Sequence, residues 1–165
     1  MATGKTTGTD GADRDDRERL DDAIALIAEV PGYAAVAGEL RTLRTGGRLR
    51  IDLTLRDRAV TDFLGRITVG PEAIRDDRVG LAATLVHERF HRTQPVFAKT
   101  LSFWGGVFTR TPVWRRLEEP AYRASLDFLR VLEDWARDSG RIVLAEAARR
   151  EQAVVGTAFR TFYGE

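Results

Sequence analysis

The feature that most constrains the fold of this chain is one pair of histidines. The sequence has 165 residues and two histidines, and both lie in the run His87-Glu88-Arg89-Phe90-His91. Residues i and i+4 lie one turn apart on the same face of an α-helix, so this stretch must be helical for both imidazoles to bind one metal ion. Glu88 lies about 100° further round such a helix, where it can contact a metal-bound water but not easily the ion itself. The pattern therefore predicts a helix here and a further ligand supplied by another segment.

The third ligand of this expected site must be a carboxylate. A hydrolytic zinc site usually has three protein ligands and one open position for water. The chain has no cysteine and no third histidine. The best candidates are Glu118 and Glu119, the first residues of the run Glu118-Glu119-Pro120-Ala121-Tyr122-Arg123. The residues thus predict one divalent metal ion, expected to be zinc, held by His87, His91 and one of these two glutamates.

Composition indicates one globular domain and disfavours two classes of partner. The chain carries 26 basic and 25 acidic residues, and its hydrophobic fraction of 43% is ordinary for a globular protein. Arginines are interleaved with Asp and Glu, whereas a nucleic-acid binder should show a basic face or stripe. No apolar run is long enough to cross a membrane, and no apolar signal core begins the chain. We therefore expect no nucleic acid and no membrane as partner, and a cytoplasmic location.

The first half of the chain reads as a tail, two helices and two extended segments. Residues 1–16 are rich in Gly, Thr and Asp and predict a disordered tail before a single domain at 17–165. Helical spacing of apolar residues begins at Leu20, and glycines end the two predicted helices near 32 and 46. Apolar and polar residues alternate over 49–55, which predicts a strand. A second extended segment covers about 60–69 and is broken at Gly65.

The second half of the chain is predicted to be helical around one aromatic loop. Either Asp76 or Asp77 can cap the helix that carries the histidines, and Pro95 ends it. The segment 96–110 is an aromatic-rich loop, suited either to a substrate pocket or lid or to core packing. A long helix follows from Thr111-Pro112 to about Asp138, and a last helix covers about 141–162.

The histidine run and the downstream glutamate together resemble the gluzincin metallopeptidases. The residues that carry the resemblance are His87-Glu88-Arg89-Phe90-His91 and, 27 residues later, Glu118, which stands three before Ala121. The resemblance covers about 48–135 and favours Glu118 over Glu119. It implies an α+β zincin-like fold, with a small, mostly antiparallel sheet packed on a helical layer and an active-site helix that carries the HExxH pattern. It also implies a zinc metallopeptidase acting on a peptide or protein substrate, with Glu88 as general base.

Two residues depart from the family pattern, one beside the third ligand and one where a partner of a histidine is expected. Pro120 removes one helical hydrogen bond, so the helix is expected either to kink there or to restart. Tyr122 stands where many gluzincins have an aspartate that orients a histidine, so we expect that hydrogen bond from Asp127 or a backbone carbonyl. Tyr122 itself either donates a hydrogen bond to an oxyanion or is a half-buried helix residue.

Other interpretations of the same residues remain open on the sequence. The scaffold could bind metal without turnover, as a binding or regulatory module, and the histidines could simply be two surface residues of an amphipathic helix. If the chain is a peptidase, the sheet edge near Ile67 to Val69 is expected to hold the substrate as an added strand. The oligomeric state and the cleavage specificity do not follow from the sequence.

Overall fold

The protein is an α+β domain that is mainly helical. A computed structural model describes residues 9–94 and 112–163. Its helices are α1 (Thr9–Glu29), α2 (Ala34–Thr45), α3 (Pro71–Ile74), α4 (Arg78–Thr93), α5 (Pro112–Asp138) and α6 (Ile142–Tyr163), and its strands are β1 (Leu49–Ile51), β2 (Ala59–Thr61) and β3 (Ile67–Val69). The predicted aromatic loop at 96–110 lies outside the described residues, as does the first half of the predicted tail. Within the described part of the chain, no helix is both long and apolar enough to cross a membrane.

The three strands form a mixed sheet with the order β1-β3-β2. Strand β3 pairs in parallel with β1 and antiparallel with β2. The prediction of a mostly antiparallel sheet is therefore wrong, because the chain crosses from β1 to the far side of the sheet before β3 returns between the two. The expected substrate edge at Ile67 to Val69 is also wrong, since β3 is the central strand and has a partner on each side.

Strand β1 is shorter than the alternation at 49–55 predicts. It ends at Ile51, and Leu53 is 54% exposed. The Asp52 side chain accepts hydrogen bonds from the Thr54 backbone N–H at 2.9 Å and from the Thr54 hydroxyl at 2.6 Å. This local turn competes with strand pairing, as short polar side chains often do.

Helix α1 begins inside the segment predicted as a disordered tail. It starts at Thr9, so residues 9–16 are helical. Arg14 Nε lies 2.9 Å from Glu18 Oε1, four residues on, and pairs at this spacing support an exposed helix by about 0.2–0.5 kcal/mol. The tail was predicted to be disordered because it has no hydrophobic period, but helix α1 is anchored further along by buried Leu20, Ile24 and Ile27.

The core lies where α1, α2 and the sheet pack around α4. Most of α4 is buried up to Val86, and each fully buried Leu or Val contributes about 1.5–3 kcal/mol to the free energy of unfolding.

Of the two candidate caps, Asp77 is the one whose side chain accepts hydrogen bonds from the Val79 and Gly80 N–H groups at the start of α4. Helix α5 continues through Pro120, so the expected restart at that residue does not occur. These two helices carry the candidate site.

Candidate metal centre

Helix α4 presents its two histidines and Glu88 in two different directions. His87 and His91 lie one turn apart and face α5, with side chains 16% and 13% exposed. Glu88 points elsewhere and is buried, at 7% exposed. The i, i+4 geometry of a helix produces this division without any special backbone feature, because residues four apart share a face and adjacent residues do not.

Glu118 on α5 closes the group. Its Oε2 lies 3.2 Å from His87 Nε2, and its Oε1 lies 3.3 Å from His91 Nε2. The two histidine Nε2 atoms are 3.0 Å apart. Among the described residues, this is the one set of three histidine or carboxylate side chains close enough to hold a metal ion. The structure therefore brings together both histidines and the preferred glutamate.

Glu119, the alternative ligand, lies outside the group. Its Oε1 accepts hydrogen bonds from Arg123 Nε at 3.0 Å and Arg123 Nη2 at 2.8 Å. Its side chain is 40% exposed, whereas that of Glu118 is 15% exposed. Adjacent residues of a helix face different directions, so Glu118 and Glu119 cannot both approach the histidines.

The charges of Glu118 and His91 influence each other. Burial by itself would raise the pKa of Glu118, but hydrogen bonds from His87 and His91 outweigh it and lower the pKa to about 2. Burial likewise disfavours the charged form of His91, yet Glu118, Glu88 and Gln94 together raise its pKa above the ordinary value. Without a metal ion, a proton on His91 therefore offsets the Glu118 carboxylate.

The second nitrogen of His91 is oriented by Gln94. His91 Nδ1 lies 3.1 Å from Gln94 Oε1, and this amide oxygen can only accept, so Nδ1 carries the proton. Asp127, which the sequence suggested as the hydrogen-bond partner of a histidine, is elsewhere. Its Oδ1 lies 3.5 Å from Arg130 Nη1, and its side chain is 65% exposed. Gln94 is three residues beyond His91 at the end of α4, so the spacing alone could have identified it. When Nε2 gives up its proton, this hydrogen bond leaves the His91 Nε2 lone pair directed at the centre of the group.

Glu88 is held by a residue of the sheet. The Thr61 hydroxyl lies 2.7 Å from Glu88 Oε2 and 2.9 Å from the Glu88 backbone oxygen. Its carboxylate is close enough to raise the pKa of both His91 and Tyr122. Thr61 is in β2, 27 residues before Glu88, and no local pattern in the sequence connects the two. A buried carboxylate fixed beside a metal-ligand group is a suitable proton acceptor.

Tyr122 forms one wall of the site. Its ring packs edge-to-face against His87 with the centroids 4.9 Å apart, and against Phe159 of α6 at 6.1 Å. Burial and the nearby Glu118 carboxylate raise the pKa of its hydroxyl. Tyr122 is thus a half-buried helix residue adjacent to a proposed ligand, and a hydrogen bond from its hydroxyl to an oxyanion stays a prediction. Phe159 was not foreseen, because nothing in the sequence places α6 against Tyr122.

A second set of contacts fixes α4 from the opposite side. Glu39 of α2 accepts hydrogen bonds from Arg89 Nε and Arg92 Nη1, both at 2.7 Å. These side chains are 18–33% exposed, so the ion pairs are partly shielded from solvent. The helix that carries the histidines is thereby held between α2, β2 and α5.

The arrangement can hold one metal ion and place a carboxylate and a phenol beside it. Comparison with known proteins adds no relative to this description: no family model, no curated protein and no solved structure matches the chain.

Proposed function

We propose that this protein is a zinc metallopeptidase with a gluzincin-like active site on a zincin-like scaffold. The observation that carries the proposal is the convergence of His87, His91 and Glu118, whose nearest ligand atoms are 3.0–3.3 Å apart. A tetrahedral zinc ion with bonds of about 2.0–2.1 Å separates its ligand atoms by about 3.3–3.4 Å. The three side chains therefore fit such an ion with very little movement.

The proposed metal supplies Lewis acidity, which lowers the pKa of water and polarises a carbonyl group. The remaining chemistry belongs to residues of the chain. Glu88, held at Oε2 by Thr61, would accept a proton from the attacking water at Oε1 and return it to the leaving amine. Tyr122, beside His87, would donate a hydrogen bond to the oxygen that becomes negative during attack.

One edge of the sheet, at strand β2, has no further strand beside it among the residues that the structure describes, and it supports a peptide as the substrate. Strand β2 is an edge strand, and its Thr61 contacts the buried Glu88. In the antiparallel pairing of β2 with β3, Val60 lies opposite Thr68, and Arg58 and Asp62 on either side of it hydrogen-bond across to the partner strand. The alternation of an antiparallel ladder then directs the backbone groups of Ala59 and Thr61 outwards. An extended peptide could pair with these groups and pass in front of the site.

The decisive test replaces Glu88 by glutamine. Glu88→Gln keeps the shape and the hydrogen bond from Thr61 but removes the proton acceptor. We expect the variant to bind zinc like the wild type and to lose about 10²–10⁴-fold or more in peptide hydrolysis. The assay measures bound zinc and the cleavage of an unfolded-protein substrate in the same samples, with the exposed Glu119→Gln as matched control.

Two outcomes would contradict parts of the proposal. Equal cleavage by wild type and Glu88→Gln would remove Glu88 from the mechanism. Zinc-loaded wild type that cleaves no member of a broad peptide library would favour the other candidate, a zincin-like scaffold that binds metal as a binding or regulatory module.

A further inference from the structure

The turn between β2 and β3 exposes two adjacent apolar side chains. Phe63 is 64% exposed and Leu64 is 53% exposed. Single apolar residues on a protein surface are common and need no explanation. A neighbouring aromatic and aliphatic pair at the end of a hairpin is a different case, because both side chains protrude from the same convex point.

Hydrogen bonds fix the backbone conformation of the turn that carries these side chains. Asp62 Oδ1 accepts hydrogen bonds from the backbone N–H groups of Leu64 and Arg66, both at 2.9 Å. The Gly65 N–H donates to the Asp62 carbonyl at 2.9 Å, and Gly65 has a φ of +69°, a conformation that favours glycine. The Arg48 guanidinium donates to the Leu64 carbonyl. The apolar pair is therefore presented on a rigid turn rather than on a loop that could bury it.

Positive charge surrounds the base of the turn. A Cβ atom added at Gly65 would lie 3.2 Å from Arg92 Nε and 3.7 Å from Arg48 Nη2, so both guanidinium groups lie under the turn. Glu39 pairs with both Arg92 and Arg89, and Asp62 pairs with Arg66. Arg48, Arg66 and Arg92 thus lie at the turn, with the carboxylates of Asp62 and Glu39 beside them.

We propose that this turn, residues 62–66, docks the protein onto an anionic lipid surface. An apolar tip with arginine side chains at its base fits a surface that is negatively charged outside and apolar beneath. The expectation of no membrane partner came from the lack of a spanning run, which does not report on a short docking turn.

A second exposed apolar pair in the same protein provides a matched control. Ile142 and Val143, at the start of α6, are 54% and 79% exposed. The neighbouring cation, Arg141, is paired with Glu29 and lies over the Trp135 ring, and acidic Asp138 and Glu146 lie four residues before and four residues after Ile142. Charge attraction and apolar insertion should both act at the turn, and only the second could act at α6.

The experiment measures co-sedimentation of the full chain with vesicles of phosphatidylcholine alone or mixed with phosphatidylglycerol. We expect binding to the anionic vesicles that weakens with added salt, and a loss of about tenfold or more in partitioning for the double variant Phe63→Ser, Leu64→Ser. The variant Ile142→Ser, Val143→Ser should bind like the wild type. Thermal unfolding of each variant establishes that it is folded.

Three results would overturn the proposal. The first is a wild type that binds neither kind of vesicle. The second is partitioning that is unchanged in the Phe63 and Leu64 variant. The third is equally tight binding to soluble polyglutamate, since this would mean that charge alone, or an acidic protein, explains the surface. None of these measurements depends on zinc or on peptidase activity, so the docking proposal and the proposed function can fail separately.

Discussion

Glu118 and Glu119 are adjacent residues of α5 that differ in what surrounds them. Glu118 lies against both histidines, and Glu119 pairs with Arg123 on a more exposed face. The difference in role is therefore a difference in direction rather than in chemistry. At the residue scale, the site is defined by which carboxylate the helix turns towards α4.

This difference predicts unequal effects on metal binding. Glu118→Ala removes a ligand, and we expect a loss of zinc affinity of at least about 100-fold, because even residues that only orient a ligand cost 10–100-fold. Glu119→Ala breaks an exposed ion pair, so zinc affinity should change less than about twofold. Competition with a chelator of known affinity measures both. Similar losses in the two variants, or the reverse order, would show that Glu118 is not the third ligand.

At the scale of elements, the approach of Gly70 to the segment before β2 sets the position of the sheet. The Gly70 N–H donates to the Arg58 carbonyl at 2.8 Å, and a Cβ atom at Gly70 would lie only 2.1 Å from the Asp57 carbonyl oxygen. Both neighbours are backbone atoms, which cannot move aside as a flexible side chain can. Gly70 thereby holds the start of β2 close to the end of β3, and β2 in turn carries Thr61 to Glu88.

We therefore expect Gly70→Ala to destabilise the fold by about 3 kcal/mol or more, the upper range for forcing atoms into an occupied space. Gly38→Ala is the control. Gly38 lies in the middle of α2 on its exposed side, and no atom lies within 4 Å of an added Cβ. Alanine there should stabilise by about 0.5–1 kcal/mol through helix propensity. Urea unfolding measures both changes. Equal stability of the two variants would contradict the role given to Gly70.

At the scale of the whole molecule, the proposed ion ties α4 to α5. Its ligands come from His87 and His91 on one helix and Glu118 on the other, so binding should stabilise the folded state. Protons compete for the same atoms. The pKa of His91 is raised, so in the metal-free protein its protonated form stabilises the fold below about pH 6.5, and this contribution is lost as the pH rises through the folded-state pKa. The pKa of Glu118 is lowered to about 2, so its contribution is lost only as the pH falls from about 4.5 towards that value.

The increase in melting temperature caused by zinc should consequently grow with pH. We expect a small increase at about pH 5.5, where His91 holds its proton, and a larger one at about pH 8, where zinc at 100 times its dissociation constant adds about 2.7 kcal/mol. Thermal unfolding with and without zinc at both pH values measures this. The double variant His87→Ala, His91→Ala should show no increase at either pH. A zinc effect that is the same at both pH values would argue against binding through the histidines.

The sequence by itself determined the features that depend on neighbouring residues. Helical spacing placed His87 and His91 on one face, an aspartate at 76 or 77 was predicted to cap their helix, and the long helix from Pro112 was predicted to end at about Asp138. These features follow from interactions within four residues, which a sequence pattern displays directly.

Only the tertiary structure decided which distant residues meet. Four features depend on how elements pack after the chain has turned several times. They are the mixed strand order, the contact of Thr61 with Glu88, the contact of Phe159 with Tyr122, and the position of Glu118 rather than Glu119 beside the histidines. The early end of β1 at Ile51 shows the same limit at short range, because the alternation of apolar residues continues to Leu55 while the Asp52 turn ends the pairing. Periodicity specifies which face of an element is apolar, but partner and register come from the packing of the whole chain.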